Sequence, residues 1–124
     1  IKTNIKRIEY TTFHPIKGLT SINLTNNQIV YITNLLIHLY HLYDINLHYN
    51  LIIALYPDYF ASSKISALSI ITNQMYQIGK RIFIDLSFTT ISLTVNLIST
   101  IEHCIIDDTK DVLILKLVSN MIDD

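Results

Sequence analysis

The stretch Ile91-Ser92-Leu93-Thr94-Val95-Asn96-Leu97 decides the fold, because it satisfies two incompatible periods. Its apolar residues alternate strictly with polar ones, the signature of a half-buried strand. Ile82-Phe83-Ile84, Leu86 and Phe88 extend a β-branched and aromatic run just upstream. Yet Phe88, Ile91, Val95, Ile98, Ile101 and Ile105 also step by three and four, as one face of a helix does. The strand reading lacks hairpin chemistry, since Thr89-Thr90 supplies neither Gly nor Asn. Isoleucine is the commonest residue throughout, which fits an AT-rich coding sequence and weakens any argument from β-propensity. The helical reading is preferred.

Working outward, the same three-four step recurs elsewhere. Ile29, Ile32, Leu36, Leu39 and Tyr43 form one such face, with Asn26 or Asn27 as its cap. Leu68, Ile71, Met75, Ile78 and Ile82 form another after Ser62-Ser63, with Gly79 near its end. Val112, Leu115, Val118 and Ile122 form a last one, capped by Asp111. The alternative is a small α/β or α+β domain with strands near 21–24, 50–55, 82–86 and 112–117, a structural subunit that buries its apolar faces in an obligate homo- or hetero-oligomer. The chain reads without a fixed-period repeat and without a Gly/Ser/Pro-rich linker.

The 124 residues suit a single domain over 1–124, read as a fragment of a longer chain because it opens on Ile1. Half the residues are hydrophobic and 15% are charged, the reverse of a disordered composition. Two Gly, two Pro and the lone Cys104 exclude collagen-like and disulfide-stapled classes. A net charge of -1 offers no field for nucleic acid or an anionic membrane. No apolar run is long enough to span a bilayer.

The charge is unevenly spread: Lys2, Lys6, Arg7 and Lys17 face only Glu9 in the first twenty residues, while the end of the chain is acidic.

Reactive side chains assemble no convincing site. His38, His41 and Asp44, with His48 after them, could line one helical edge, but a zinc site needs further strong ligands and no second cluster supplies them. His103 and Cys104 are adjacent and so point apart on a helix. Asp107, Asp108 and Asp111 read as a loop and a cap. Gly18 and Gly79 are the only glycines, so there is no phosphate-cradling loop. The expectation is a non-enzymatic protein with no cofactor and no metal.

What stands out is apolar excess. Ile29–Tyr43 also carries Val30, Leu35, Ile37 and Leu42, so such a helix would be apolar around most of its circumference. It would share a face with a partner, either a second copy in a homodimer or an amphipathic helix held in a groove.

Tyr43-Asp44-Ile45-Asn46 and Ala61-Ser62-Ser63-Lys64-Ile65-Ser66-Ala67-Leu68-Ser69-Ile70-Ile71-Thr72 resemble the central region of the poxvirus Bcl-2-like apoptosis inhibitors. The likeness covers about half the chain. Ala61–Lys64 replaces the Asn-Trp-Gly-Arg of cellular members. The resemblance implies an all-α bundle around a central apolar hairpin formed by Ile65–Gly79 and Asp85–Ile105. It implies a viral protein-binding module that sequesters the amphipathic helix of host pro-apoptotic proteins. The groove would be walled by Ile32, Leu36, Leu39, Leu55 and Leu68, with Lys64 meeting a ligand carboxylate as a point charge. The implied location is the host cytoplasm, or the mitochondrial surface where a tail anchor is present.

Overall fold

The computed structural model of the chain describes residues 3–9, 11–32, 39–56, 60, 65–80, 82–83, 89–102 and 114–122. Seven short strands run through them: β1 (Ser21–Asn23), β2 (Asp44–Asn46), β3 (Ala67–Ser69), β4 (Gln77–Ile78), β5 (Thr90–Ser92), β6 (Thr100–Ile101) and β7 (Ile114–Lys116). Five of them form one sheet in the order β1-β2-β3-β5-β7, and β4 pairs with β6 in a second. Every pairing is parallel, with Ser21 opposite Asp44, Asp44 opposite Ala67, Ala67 opposite Thr90 and Thr90 opposite Ile114.

The all-α bundle is overturned, because the described residues contain parallel strands and no α-helix. Each expected helical face is interrupted by strand or turn. Ile29–Tyr43 runs without helix through Ile32 and again from Leu39, the second helix contains β3 and β4, the third contains β5 and β6, and the last contains β7. The α/β alternative comes closer in class. Its strands near 21–24 and 112–117 coincide with β1 and β7, but 50–55 is not a strand. Ile82 and Phe83 lie in a turn, and the remainder of 82–86 falls outside the described residues.

A repeat of fixed period builds this sheet, contrary to the reading of the chain as free of one. Ile22-x-Leu24-x-x-Asn27, Ile45-x-Leu47-x-x-Asn50, Leu68-x-Ile70-x-x-Asn73, Ile91-x-Leu93-x-x-Asn96 and Leu115-x-Leu117-x-x-Asn120 are one motif, spaced by 23, 23, 23 and 24 residues. The first apolar residue sits mid-strand and the second just after it. Both point inward, and Ile45, Leu47, Leu68, Ile70, Ile91 and Leu93 are all buried. A parallel strand one turn further on requires a long return path, which the rest of each 23-residue unit provides. The three-four spacing that resembled helices reflects strand, turn and return-path core positions laid end to end.

The asparagines close the fold. Asn50 Oδ1 accepts from the backbone of Ile29, Asn73 Oδ1 from Ile52, Asn96 Oδ1 from Met75 and Asn120 Oδ1 from Ile98, at 2.9–3.1 Å. Their Nδ2 groups donate to carbonyls of their own and the preceding turn, as Asn96 does to Leu93 and Ile70 at 2.9 Å. A planar amide that accepts on one edge and donates on the other suits this stacking. Just before each asparagine the chain takes a positive φ, at Asn26, Tyr49, Thr72, Val95 and Ser119, with values of 52–60°. At this left-handed step the backbone leaves the sheet and enters the turn.

Residues 3–9 belong to the same pattern. Ile5 donates its N–H to Asn27 Oδ1 and its carbonyl accepts from Gln28, as Ile29 does with Asn50 and Leu51 one turn later. The return paths are lined by Ile32, Leu55 and Ile78, all buried, and by Phe60 and Phe83, whose ring centroids stack 6.5 Å apart in adjacent turns.

Candidate functional site

Alternation along each strand sends the flanking side chains of the core residue to the opposite, solvent-facing side. Ser21, Asp44, Ala67, Thr90 and Ile114 therefore form one row across the main sheet, and Asn23, Asn46, Ser69, Ser92 and Lys116 a second, in which Ser92 alone is buried. Thr25, His48, Ile71, Thr94 and Val118 occupy the equivalent place two residues further along each turn. This face carries hydroxyls and amides, with few charges: Asp44 on β2 and Lys116 on β7.

Hydrogen bonds tie the rows together across strands. Asn23 Oδ1 accepts from Thr25 N at 3.1 Å and lies 2.6 Å from Thr25 Oγ1. The same hydroxyl is 3.1 Å from Asn46 Oδ1, which also accepts from His48 N at 3.1 Å. His48 Nε2 bonds Ser69 Oγ, carrying the chain of contacts from β1 past β2 to β3. Further along, Ser92 Oγ is 3.4 Å from Thr94 Oγ1. Burial pushes the His48 pKa below its ordinary value, because the ring is easier to keep neutral than charged there. A neutral imidazole can either donate to or accept from Ser69. Among the described residues, the Nδ2 groups of Asn23 and Asn46 make no hydrogen bond. Tyr43 and Tyr49, both exposed, flank β2 at its two ends, with Tyr49 edge-on to His48 at 6.4 Å between centroids.

The residues expected to wall a groove are distributed otherwise. Leu68 is the core residue of β3, and Ile32, Leu39 and Leu55 are buried in the return paths. They are brought together as interior, so they are not the lining of an open cleft on this chain. Leu36 and Lys64 lie outside the described residues. Of the histidines and carboxylates weighed for a metal, His41 and Asp44 are exposed, His48 bonds Ser69, and His38 is outside the described residues. Among the described residues there is no group of three His, Cys, Asp or Glu able to hold a metal ion.

The solvent-facing rows escaped the sequence reading because they are the variable positions of the repeat. The signal that exposes them is the constant part: once Ile/Leu-x-Ile/Leu-x-x-Asn is aligned five times, the residues on either side of its first member fall into rows.

No known protein-family model matches this chain, and no curated protein matches it in sequence. The repeat itself is the available guide. Leucine-rich solenoids show an apolar-x-x-apolar-x-apolar-x-x-Asn-x-apolar unit of 20–29 residues with a short parallel strand per unit. Leu42-x-x-Ile45-x-Leu47-x-x-Asn50-x-Ile52 has that form.

Proposed function

We propose that this chain is a non-enzymatic interaction module, a leucine-rich-type solenoid that binds a partner on the solvent face of its main sheet. The observation that carries this reading is the hydrogen-bonded polar network from Asn23 through Asn46 and His48 to Ser69. Side chains held by one another lose little entropy on binding, so their remaining donors and acceptors are pre-organised for a partner. Solenoids commonly use such extended faces for recognition, since neighbouring turns place equivalent side chains at fixed spacing. The helix-sequestering role does not fit the parallel strands of the described residues, which form no helical groove.

The reading predicts that partners captured by the intact chain from its source cells are lost with Asn46→Arg, which puts a bulky charge in the middle of the face. The same partners should persist with Leu51→Arg, an exposed position beyond the asparagine turn. Equal loss from both variants, or from neither, would remove the sheet face as the binding surface.

A second reading draws on a different observation. The last described turn exposes several apolar residues: Val118 is 70% exposed, Met121 61% and Ile122 41%. An exposed apolar surface of this kind suits burial against a partner, as in a subunit of a homo- or hetero-oligomer. Sedimentation of the chain with and without Met121→Glu tests it, because an obligate assembly should fall to monomer in the variant.

A further inference from the structure

We infer that the flank built by the asparagine turns, just beyond the main sheet, is the interface of a two-fold symmetric homodimer, with a second copy of this chain as its occupant. This rests on the oligomer reading above and goes further by naming the surface and the partner.

Backbone bonds stack the flank row by row. The residues just before the asparagines are joined at 3.0–3.1 Å, from Asn26 N to His48 O, Tyr49 N to Ile71 O, Thr72 N to Thr94 O and Val95 N to Val118 O. The residues just after them are joined at 2.8–3.0 Å, from Leu51 N to Ile29 O, Gln74 N to Ile52 O, Leu97 N to Met75 O and Met121 N to Ile98 O. Asn50, Asn73 and Asn96 are buried between the two rows, and Ile29, Ile52, Met75 and Ile98 are fully buried behind the second. Alternation therefore turns Tyr49, Leu51, Gln74, Val95 and Leu97 outward, and all five are exposed.

Neither row holds a charged residue. The first reads Asn26, Tyr49, Thr72, Val95 and Ser119, and the second Gln28, Leu51, Gln74, Leu97 and Met121. A soluble surface ordinarily mixes both signs of charge. Tyr49, Leu51, Tyr76, Val95 and Leu97 are instead each 39–55% exposed, and Met121 continues the apolar surface into the last described turn. With the amides between them these side chains are on the scale of the roughly 800 Å² per partner that a stable dimer needs. A surface without charge suits a second copy of itself, because a two-fold axis brings a residue near it against its own kind, and a charge there would meet a like charge. An axis at the third turn, the middle of the five, overlaps the whole flank. It sets Leu51 of one copy against Leu97 of the other and Tyr49 against Val95, and lets the two Gln74 amides bond to each other.

The test is sedimentation of the intact chain over a range of concentrations, with circular dichroism of each variant to confirm that the sheet persists. A reversible monomer–dimer equilibrium is expected, unaffected by added salt because the contact has no charge pair to screen. Leu97→Glu should raise the dimer dissociation constant about a hundredfold, the scale of an interface hot spot. Gln74 is exposed, so Gln74→Glu and Gln74→Lys leave the fold intact. Each should weaken its own dimer about tenfold by like-charge repulsion, and mixing the two variants should restore association. Lys17→Glu, an exposed charge change away from the flank, should alter nothing. A chain that is monomeric at every concentration, a dimer indifferent to Leu97→Glu and Gln74→Glu, or a mixture of the two Gln74 variants that stays apart overturns the homodimer flank. A dimer that dissociates only with Met121→Glu moves the contact to the last described turn, so the flank fails while the oligomer reading stands.

Discussion

The turns around β3 and β5 and the turn that carries β7 have the same motif and different fates. Leu93 and Asn96 belong to an inner turn, and Leu117 and Asn120 are their counterparts in the last described one. Leu93 is fully buried, whereas Leu117 is half-buried. Asn96 and Asn120 make matching bonds, each accepting from one backbone N–H of the preceding turn and donating to two carbonyls. Only Asn96 is covered on both sides. Burial here is conferred by the neighbouring turn, so identical residues should carry unequal stability, as in a one-dimensional array of nearest-neighbour contacts.

The largest contrast should come from truncating the apolar pair. Leu93→Ala removes a side chain packed between two turns and is expected to cost about 4 kcal/mol, against about 1 kcal/mol for Leu117→Ala. Urea unfolding of the two variants reads this directly, and equal losses would show that the inner and outer turns are energetically alike.

The asparagine pair should differ less. Asn96→Ala strands the Met75 N–H and the Ile70 carbonyl inside the fold, a loss of about 3 kcal/mol. Asn120 is only half-buried and Leu93 O keeps its bond from Asn96, so Asn120→Ala should cost less, about 1 kcal/mol. Amide exchange should accelerate sharply at Met75 in the first variant and modestly at Ile98 in the second. The reverse order would break the comparison.

A smaller effect with the opposite sign lies at the left-handed positions. Val95 holds φ of 56° and Thr72 φ of 55°, conformations that β-branched residues resist. Asparagine tolerates this region, so Val95→Asn should raise the unfolding midpoint, by about 1 kcal/mol of added stability. Asn26 already has the favourable residue at that place. A destabilised Val95→Asn would show that the side chain contributes more packing than its exposed position suggests.

The smallest expected effect is in pH. Because burial lowers the His48 pKa, the unfolded chain takes up a proton more readily than the folded one near the ordinary histidine value of 6.5. Stability from this group is therefore complete above pH 6.5 and declines as pH falls through the lower folded value. The ring is partly exposed, so the decline is shallow. His48→Gln should flatten it, and an unchanged slope in that variant would assign the dependence to another group.

Some of this architecture is written plainly in the chain. The alternation of Ile91–Leu97 is a strand signal, and β5 lies inside it, while the edges at 21–24 and 112–117 also read as strands. The five-fold Ile/Leu-x-Ile/Leu-x-x-Asn motif is visible in the letters, although isoleucine richness hides it among many apolar coincidences. The helical reading failed because a repeat of 23 residues scatters core positions at strand, turn and return path, and short windows of that scatter imitate a three-four step. Leu68, a groove wall by the resemblance, is the core residue of β3: its apolar character is evident in sequence, but whether it faces a ligand or the next turn is not.

By itself, then, the sequence determines the unit: which residues are apolar, where the asparagine falls and how many residues separate one turn from the next. These are local chemical facts that survive without neighbours. Only the tertiary structure decides what each residue is for. Stacking turns places Asn23, Asn46, His48 and Ser69 in one network although they span nearly fifty residues, and brings Leu51, Gln74 and Leu97 onto one flank. The physical reason is that parallel register between turns converts a separation of 23 residues in sequence into the spacing of adjacent strands, about 4.8 Å.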